Sequence, residues 1–225
     1  MHYRYNKSDY LDQESLRSRV FNHILEDILS GKYEEGQALV ETKLAQEIGV
    51  SRTPVREAFR QLELDGLVTS IPNKGVVVNG ISDKDIEEIF AVRSLIEGLA
   101  VRWATENINE EQRRDLEETA ELMVYYTKKK DYQQLAKYDA RFHSLIYDSC
   151  QSKVLRHILR SLMRYIQHAR LGSLKVPKRA EQALKEHREI LEAILAGKKD
   201  IAEQKMVHHV NSALENLLKE KNKTN

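Results

Sequence analysis

The chain has 225 residues, 41% of them apolar, 32% charged and only 7% aromatic, enough for one large domain or two small ones with a buried core. Nine glycines and three prolines are too few for the many tight turns of a β-sandwich or barrel, and the single cysteine, Cys150, excludes an internal disulfide framework and a Cys-rich zinc site. The net charge is +1, with 10 Lys and Arg against 12 Asp and Glu in residues 1–80, so any nucleic-acid-binding claim must rest on local geometry and not on a domain-wide positive field.

Residues 1–14 lack apolar periodicity and a signal-peptide core, and read as a flexible arm. From Ser15 the pattern turns helical, with Leu16, Val20, Phe21, Ile24, Ile28 and Leu29 recurring at three- and four-residue steps. Gly31 stops that helix. A short amphipathic segment carries Leu44, Ala45 and Ile48 on one face, Gly49-Val50-Ser51 makes a turn, and a further helix runs from about Arg52 to Asp65. Two β-branched runs, Leu67–Ile71 and Val76–Val78, joined by Pro72-Asn73-Lys74-Gly75, form a small hairpin. This order over residues 15–80 describes a winged helix-turn-helix.

Beyond Gly80 no strand pattern appears. Residues 81–225 divide into helices at 83–106, 109–129, 131–149, 152–171, 177–196 and 198–220, with Ser82 and Asp85 placed to cap the first of them. Linked amphipathic helices of such length imply an all-helical antiparallel bundle. The predicted class is therefore mainly α. No apolar run reaches the ~18 residues of a membrane span, and the chain reads as a soluble, cytoplasmic protein without a membrane partner.

The segment Ser51-Arg52-Thr53-Pro54-Val55-Arg56-Glu57-Ala58-Phe59 carries the first functional signal. Ser51 stands where a cap belongs, and Pro54 is tolerated because first-turn N–H groups lack intrahelical partners. Val55, Ala58, Phe59 and Leu62 form an apolar stripe, which leaves Arg52, Thr53, Arg56 and Arg60 facing away from it. A recognition helix presents its first residues to the major groove, where arginine suits guanine edges and phosphates. The hairpin tip, with Lys74 and Gly75, is polar and permits close approach to a DNA backbone.

Residues 16–79 resemble the amino-terminal domain of GntR-type bacterial transcription regulators. The likeness runs through Leu39-Val40-Glu41, Leu44-Ala45, Ile48 to Ala58, Leu62, Asp65-Gly66-Leu67-Val68 and Gly75-Val76-Val77-Val78. It implies a homodimer on a palindromic double-stranded DNA operator, with Arg52, Thr53 and Arg56 contacting DNA from the recognition helix and Lys74 and Gly75 from the wing. Asn73 departs from the basic or His residue that relatives often carry.

The second signal lies in the helical half. Asp139 and His143 are four apart and share one helix face, flanked by Leu135, Phe142, Leu145 and Ile146. His187 and the pair His208-His209 lie further on. Three imidazoles and one carboxylate suit a borderline divalent metal such as Zn, Ni, Mn or Fe, with room for a ligand oxygen. The same set could activate water in a metal-dependent enzyme, but no general acid or base stands at motif spacing.

Residues 83–218 resemble the FCD-type effector domain of the FadR subgroup of GntR regulators, through Glu88-Ile89-Phe90-Ala91-Val92-Arg93 with Glu97, Asp139-Ala140-Arg141-Phe142-His143, Glu186-His187 with Ile190, and Met206-Val207-His208-His209. The resemblance selects Asp139, His143, His187 and His209 as metal ligands and implies a small organic acid as effector. His208, about 100° around the helix from His209, faces solvent or stands behind the site. Arg93, four before Glu97, is either half of an intrahelical salt bridge or the anchor for an effector carboxylate. Arg164 and His168 are weaker candidates for the cavity wall. The expectation is a metabolite-responsive regulator, a repressor in its simplest form.

Overall fold

The computed structural model describes residues 15–72, 75–176 and 178–224, with the side chains at 168, 169 and 220–224 excepted. The expected arm at 1–14, Asn73 and Lys74 of the hairpin tip, and the His168 side chain lie outside the described residues. The chain forms two compact units that meet in sequence between Ile81 and Ser82.

The first unit begins with α1 (Leu16–Leu29), followed by β1 (Ala38–Leu39), α2 (Glu41–Ile48), α3 (Arg52–Leu64), β2 (Val68–Ile71) and β3 (Gly75–Val78). The Ser15 hydroxyl accepts from the Ser18 N–H at the start of α1, relieving one unpaired donor of the first turn. Val20, Phe21, Ile24, Leu25 and Ile28 are the buried face of α1, and they pack on Val55, Ala58, Phe59 and Leu62 of α3. Between α2 and α3 the chain turns through Gly49, whose φ of 76° suits a residue without Cβ. The wing is a three-stranded antiparallel sheet of order β1-β3-β2, one strand more than the sequence pattern indicates. A two-residue strand is too short to show alternation.

Ser51 occupies the cap position of α3, but its side chain makes no capping hydrogen bond. Pro54 stands at the third helical position and so removes one of the two N–H donors, those of the second and third positions, that a capping hydroxyl uses. Gly75 has a φ of 93°, and a Cβ there would run into the Leu39 carbonyl oxygen of the neighbouring β1. Its glycine is therefore explained by the sheet itself.

The second unit is a helical bundle of α4 (Asp83–Asn107), α5 (Glu110–Lys129), α6 (Tyr132–Ser149), α7 (Lys153–Leu174), α8 (Arg179–Leu195) and α9 (Lys199–Thr224). Reciprocal capping boxes, Ser82 with Asp85 and Asn109 with Gln112, start α4 and α5. The long α7 continues through Gly172, where the sequence pattern ends it early. Helix α4 lies along α9, with Gly98 so near α9 that a Cβ would meet Val207 at 3.0 Å. The core, built on Phe142, Ile146, Leu159, Ile190, Ile194 and Met206, surrounds a polar centre supplied mainly by α4, α6, α8 and α9.

Candidate functional site

In the first unit, Arg52, Thr53 and Arg56 lie on the exposed face of α3, opposite its buried stripe. Neither arginine is loose. The Glu41 carboxylate, at the start of α2, accepts from Arg52 Nε at 2.6 Å and from Arg56 Nε and Nη2, both at 2.9 Å. Arg60 donates in turn to Glu57 at 2.8 Å. Gly75 is exposed at the start of β3.

In the second unit, Asp139, His143, His187 and His209 are all buried, and one candidate ligand atom from each lies within 4.8 Å of the others. The helical period places Asp139 and His143 on one face of α6, while α8 and α9 bring His187 and His209 to them from the far end of the sequence. Asp139 Oδ1 is 3.3 Å from His187 Nε2. His208 is exposed, beside Ser212, and Arg141 is exposed as well.

The hydrogen bonds fix which ring nitrogen faces inward. His187 Nδ1 lies 2.7 Å from the Ala183 carbonyl oxygen, which can only accept, so that nitrogen carries the proton. His143 Nδ1 meets Glu97 Oε2 at 2.8 Å, and His209 Nδ1 meets Glu186 Oε2 at 2.7 Å. With every Nδ1 placed to donate to an acceptor, the Nε2 of a neutral ring is left with a bare lone pair. The Nε2 atoms of His143 and His187 stand 3.4 Å apart. Burial, aided by His143 and opposed by Asp139, pushes His187 down to about 4; burial and the neighbouring imidazoles also lower His209. Near neutral pH these two are acceptors converging on a carboxylate, a donor set that fits a divalent transition metal.

Each carboxylate around the site has its own arginine. Arg93 donates to Glu97 at 2.7 Å, Arg170 pairs with Asp139 Oδ2 at 2.6 Å, and Arg179 donates to both oxygens of Glu186 at 3.0 and 2.9 Å. Burial alone would raise the Asp139 and Glu97 carboxyls. Arg170 beside Asp139, and Arg93 with His143 beside Glu97, outweigh it and hold both well below the usual carboxylate range. Buried ion pairs recover little net stability after desolvation, so three of them in one place point to a binding role. Arg93, Arg170 and Arg179 also line a cavity that opens on Asp139, His143 and His209, with Phe90, Ile166, Ser173 and Leu174 among its walls.

Arg93 forms the salt bridge with Glu97 and also lines the cavity. Arg164 is exposed on α7 and lies outside the cavity lining. The sequence reading missed Arg170 and Arg179, and named Glu186 only as part of the resemblance, without a role. Glu186 had a local signal, its place next to His187 and seven residues after Arg179.

Comparison with known proteins agrees with this layout. Residues 16–78 match the model for bacterial regulatory proteins of the gntR family, and residues 88–212 match the FCD domain. The chain is 31% identical over 201 residues to the uncharacterized HTH-type transcriptional regulator YdhC of Bacillus subtilis, covering 88% of each chain. It is 32% identical over 187 residues to the gluconate operon transcriptional repressor of Bacillus licheniformis, covering 83% of this chain and 74% of that protein. Among solved structures, McbR/YncC of E. coli superposes with a TM-score of 0.76 at 22% identity, covering 93% of this chain and 100% of the other, a likeness of fold.

Proposed function

The chain belongs to the gntR family of bacterial regulatory proteins and carries an FCD domain, and from that premise we propose that it is a metal-dependent, metabolite-responsive repressor of the FadR subgroup. Residues 15–80 bind DNA and residues 81–225 bind the effector. A homodimer reads a palindromic operator, each α3 entering the major groove with Arg52, Thr53 and Arg56 while Lys74 and Gly75 of the wing approach the backbone.

Asp139, His143, His187 and His209 hold a divalent transition metal of the Zn, Ni, Mn or Fe type. When bound, the ion offers a Lewis-acid position to an effector oxygen. The effector is a small organic acid. Its class follows from charge: Arg93, Arg170 and Arg179 balance Glu97, Asp139 and Glu186, so that a loaded site is cationic and calls for an anion, which Arg93 is placed to grip through carboxylate hydrogen bonds. Ser173 adds a hydroxyl, while Phe90, Ile166 and Leu174 supply apolar wall. By linkage, the acid weakens operator affinity only to the extent that it binds the operator-incompetent state better.

The observation that carries this reading is the set of imidazoles whose Nδ1 atoms are tied outward, so that their Nε2 lone pairs converge on Asp139. Its test is metal analysis of the purified protein beside Asp139→Ala and His187→Ala. About one equivalent is expected in wild type and a loss of at least tenfold in occupancy in each variant; unchanged stoichiometry in both would overturn the assignment. A gel shift on the DNA upstream of its own operon, with and without chelator and candidate acids, tests the coupling. Failure to bind that DNA, together with metal-dependent turnover of a substrate, would point to an enzyme instead.

A further inference from the structure

We infer that Glu41 is a positioning residue for sequence readout: its carboxylate holds Arg52 and Arg56 in one shared pose and so sets how sharply α3 distinguishes one DNA sequence from another. This rests on the reading of α3 as the DNA-contacting helix. Glu41 is the first residue of α2, yet its carboxylate reaches across to α3 and grips the inner edges of both guanidiniums, at Arg52 Nε and at Arg56 Nε and Nη2. Both Nη groups of Arg52 and Nη1 of Arg56 take no part in that grip. Arginine reads guanine through two parallel N–H groups, so the grip leaves donor edges available while removing much of the side chains' rotational freedom.

The charge of the same face favours discrimination over bulk attraction. One carboxylate between two guanidiniums leaves a single net positive charge, and Glu57 pairs with both Arg60 and Arg17. Residues 1–80 carry 10 Lys and Arg against 12 Asp and Glu. Non-specific DNA affinity comes from uncompensated cations near phosphates, and Arg52, Arg56 and Arg60 of α3 are each paired with a carboxylate. What distinguishes an operator from random duplex must then come from where the guanidiniums are held. The Glu41 carboxyl lies below its ordinary range because Arg56, and with it Arg52, donate to it, so it stays ionised in that role. A purely structural staple is scarcely needed here, because Leu44 and Ala45 of α2 are already buried in the same unit as α3.

Selection from a random duplex library, followed by fluorescence anisotropy on the selected and unselected duplexes, tests the idea. The proteins are full-length wild type, Glu41→Gln, Glu41→Asp and Glu57→Gln. Glu41→Gln keeps size and loses charge; it should bind random duplex several-fold tighter and lose about tenfold in preference for the selected motif. Glu41→Asp keeps charge but is too short to span both arginines, and should lose preference without gaining random affinity. Glu57→Gln removes the same charge from the same face, and should raise random affinity while keeping the motif as sharp as in wild type. If both Glu41 variants retain the wild-type motif and preference and differ only in melting temperature, the residue is a staple and the inference fails. If wild type itself selects no motif, the DNA-reading premise falls with it, a result distinct from the first.

Discussion

Glu97 never touches the candidate ion site, yet it decides what His143 can do there. Its carboxylate accepts from His143 Nδ1 at 2.8 Å and from Arg93 at 2.7 Å while fully buried. Replacing it by Gln keeps the volume but weakens the acceptor that fixes the tautomer and leaves Arg93 short of a counter-charge. Loss of such a supporting carboxylate typically costs 10–100-fold in metal affinity; Glu97→Gln is expected to fall in that range, measured by competition with a chromogenic chelator. The side chains of this site were unequally legible. Asp139 and His143 show themselves by four-residue spacing on an apolar helix face. His209 could be chosen over His208 only through resemblance, and the choice matches their burial, since His209 is buried and His208 exposed. Arg170 left no trace, because it pairs with a carboxylate on another helix; Arg179 stands two turns before Glu186 on the same face of α8, a spacing the sequence offered and the reading did not use.

Among the elements, the wing shows how a functional motif can hide a structural requirement. The Gly75 of the hairpin tip reads in sequence as a place for DNA to approach, and its conformation shows a second demand: φ is positive and the Leu39 carbonyl fills the space of a Cβ. A non-glycine residue with positive φ costs roughly 1–2 kcal/mol, and the blocked Cβ adds to it. Gly75→Ala is therefore expected to lower the stability of the first unit by at least about 1–2 kcal/mol, read by denaturant unfolding of the full chain. If its stability is unchanged, the sheet does not need the glycine. Helix positions were recovered from apolar periodicity to within a few residues, since packing on a core imposes that period. Helix joints were harder. The chain turns at Lys130, Gln151 and Lys178 with positive φ, residues that give no glycine signal, and the two residues of β1 are too few to alternate.

For the molecule as a whole, the outer face of α4 bears Val92 and Leu95, the latter 75% exposed, on a helix whose opposite face is buried against α9 and the polar centre. An exposed leucine alone is unremarkable, but the proposed operator symmetry requires a second copy, and this face offers apolar area to cover. Leu95→Glu would place two carboxylates against each other at a two-fold contact. Sedimentation at micromolar concentration should then show the variant at least tenfold weaker in self-association than wild type. Equal association would move the dimer contact elsewhere.

The inward-facing donors come from three helices, the consecutive α8 and α9 and, well before them along the chain, α6. An ion joining them at a single point would stabilise the folded chain by mass action, to the extent that it binds the native site and not the unfolded chain. Unlike a covalent cross-link, a metal link of the proposed kind would dissolve when the surroundings are depleted of the ion. A cell short of that nutrient would hold a slack sensor, deaf to its acid whatever the acid's abundance. The regulator would then answer to two supplies at once, as a coincidence detector.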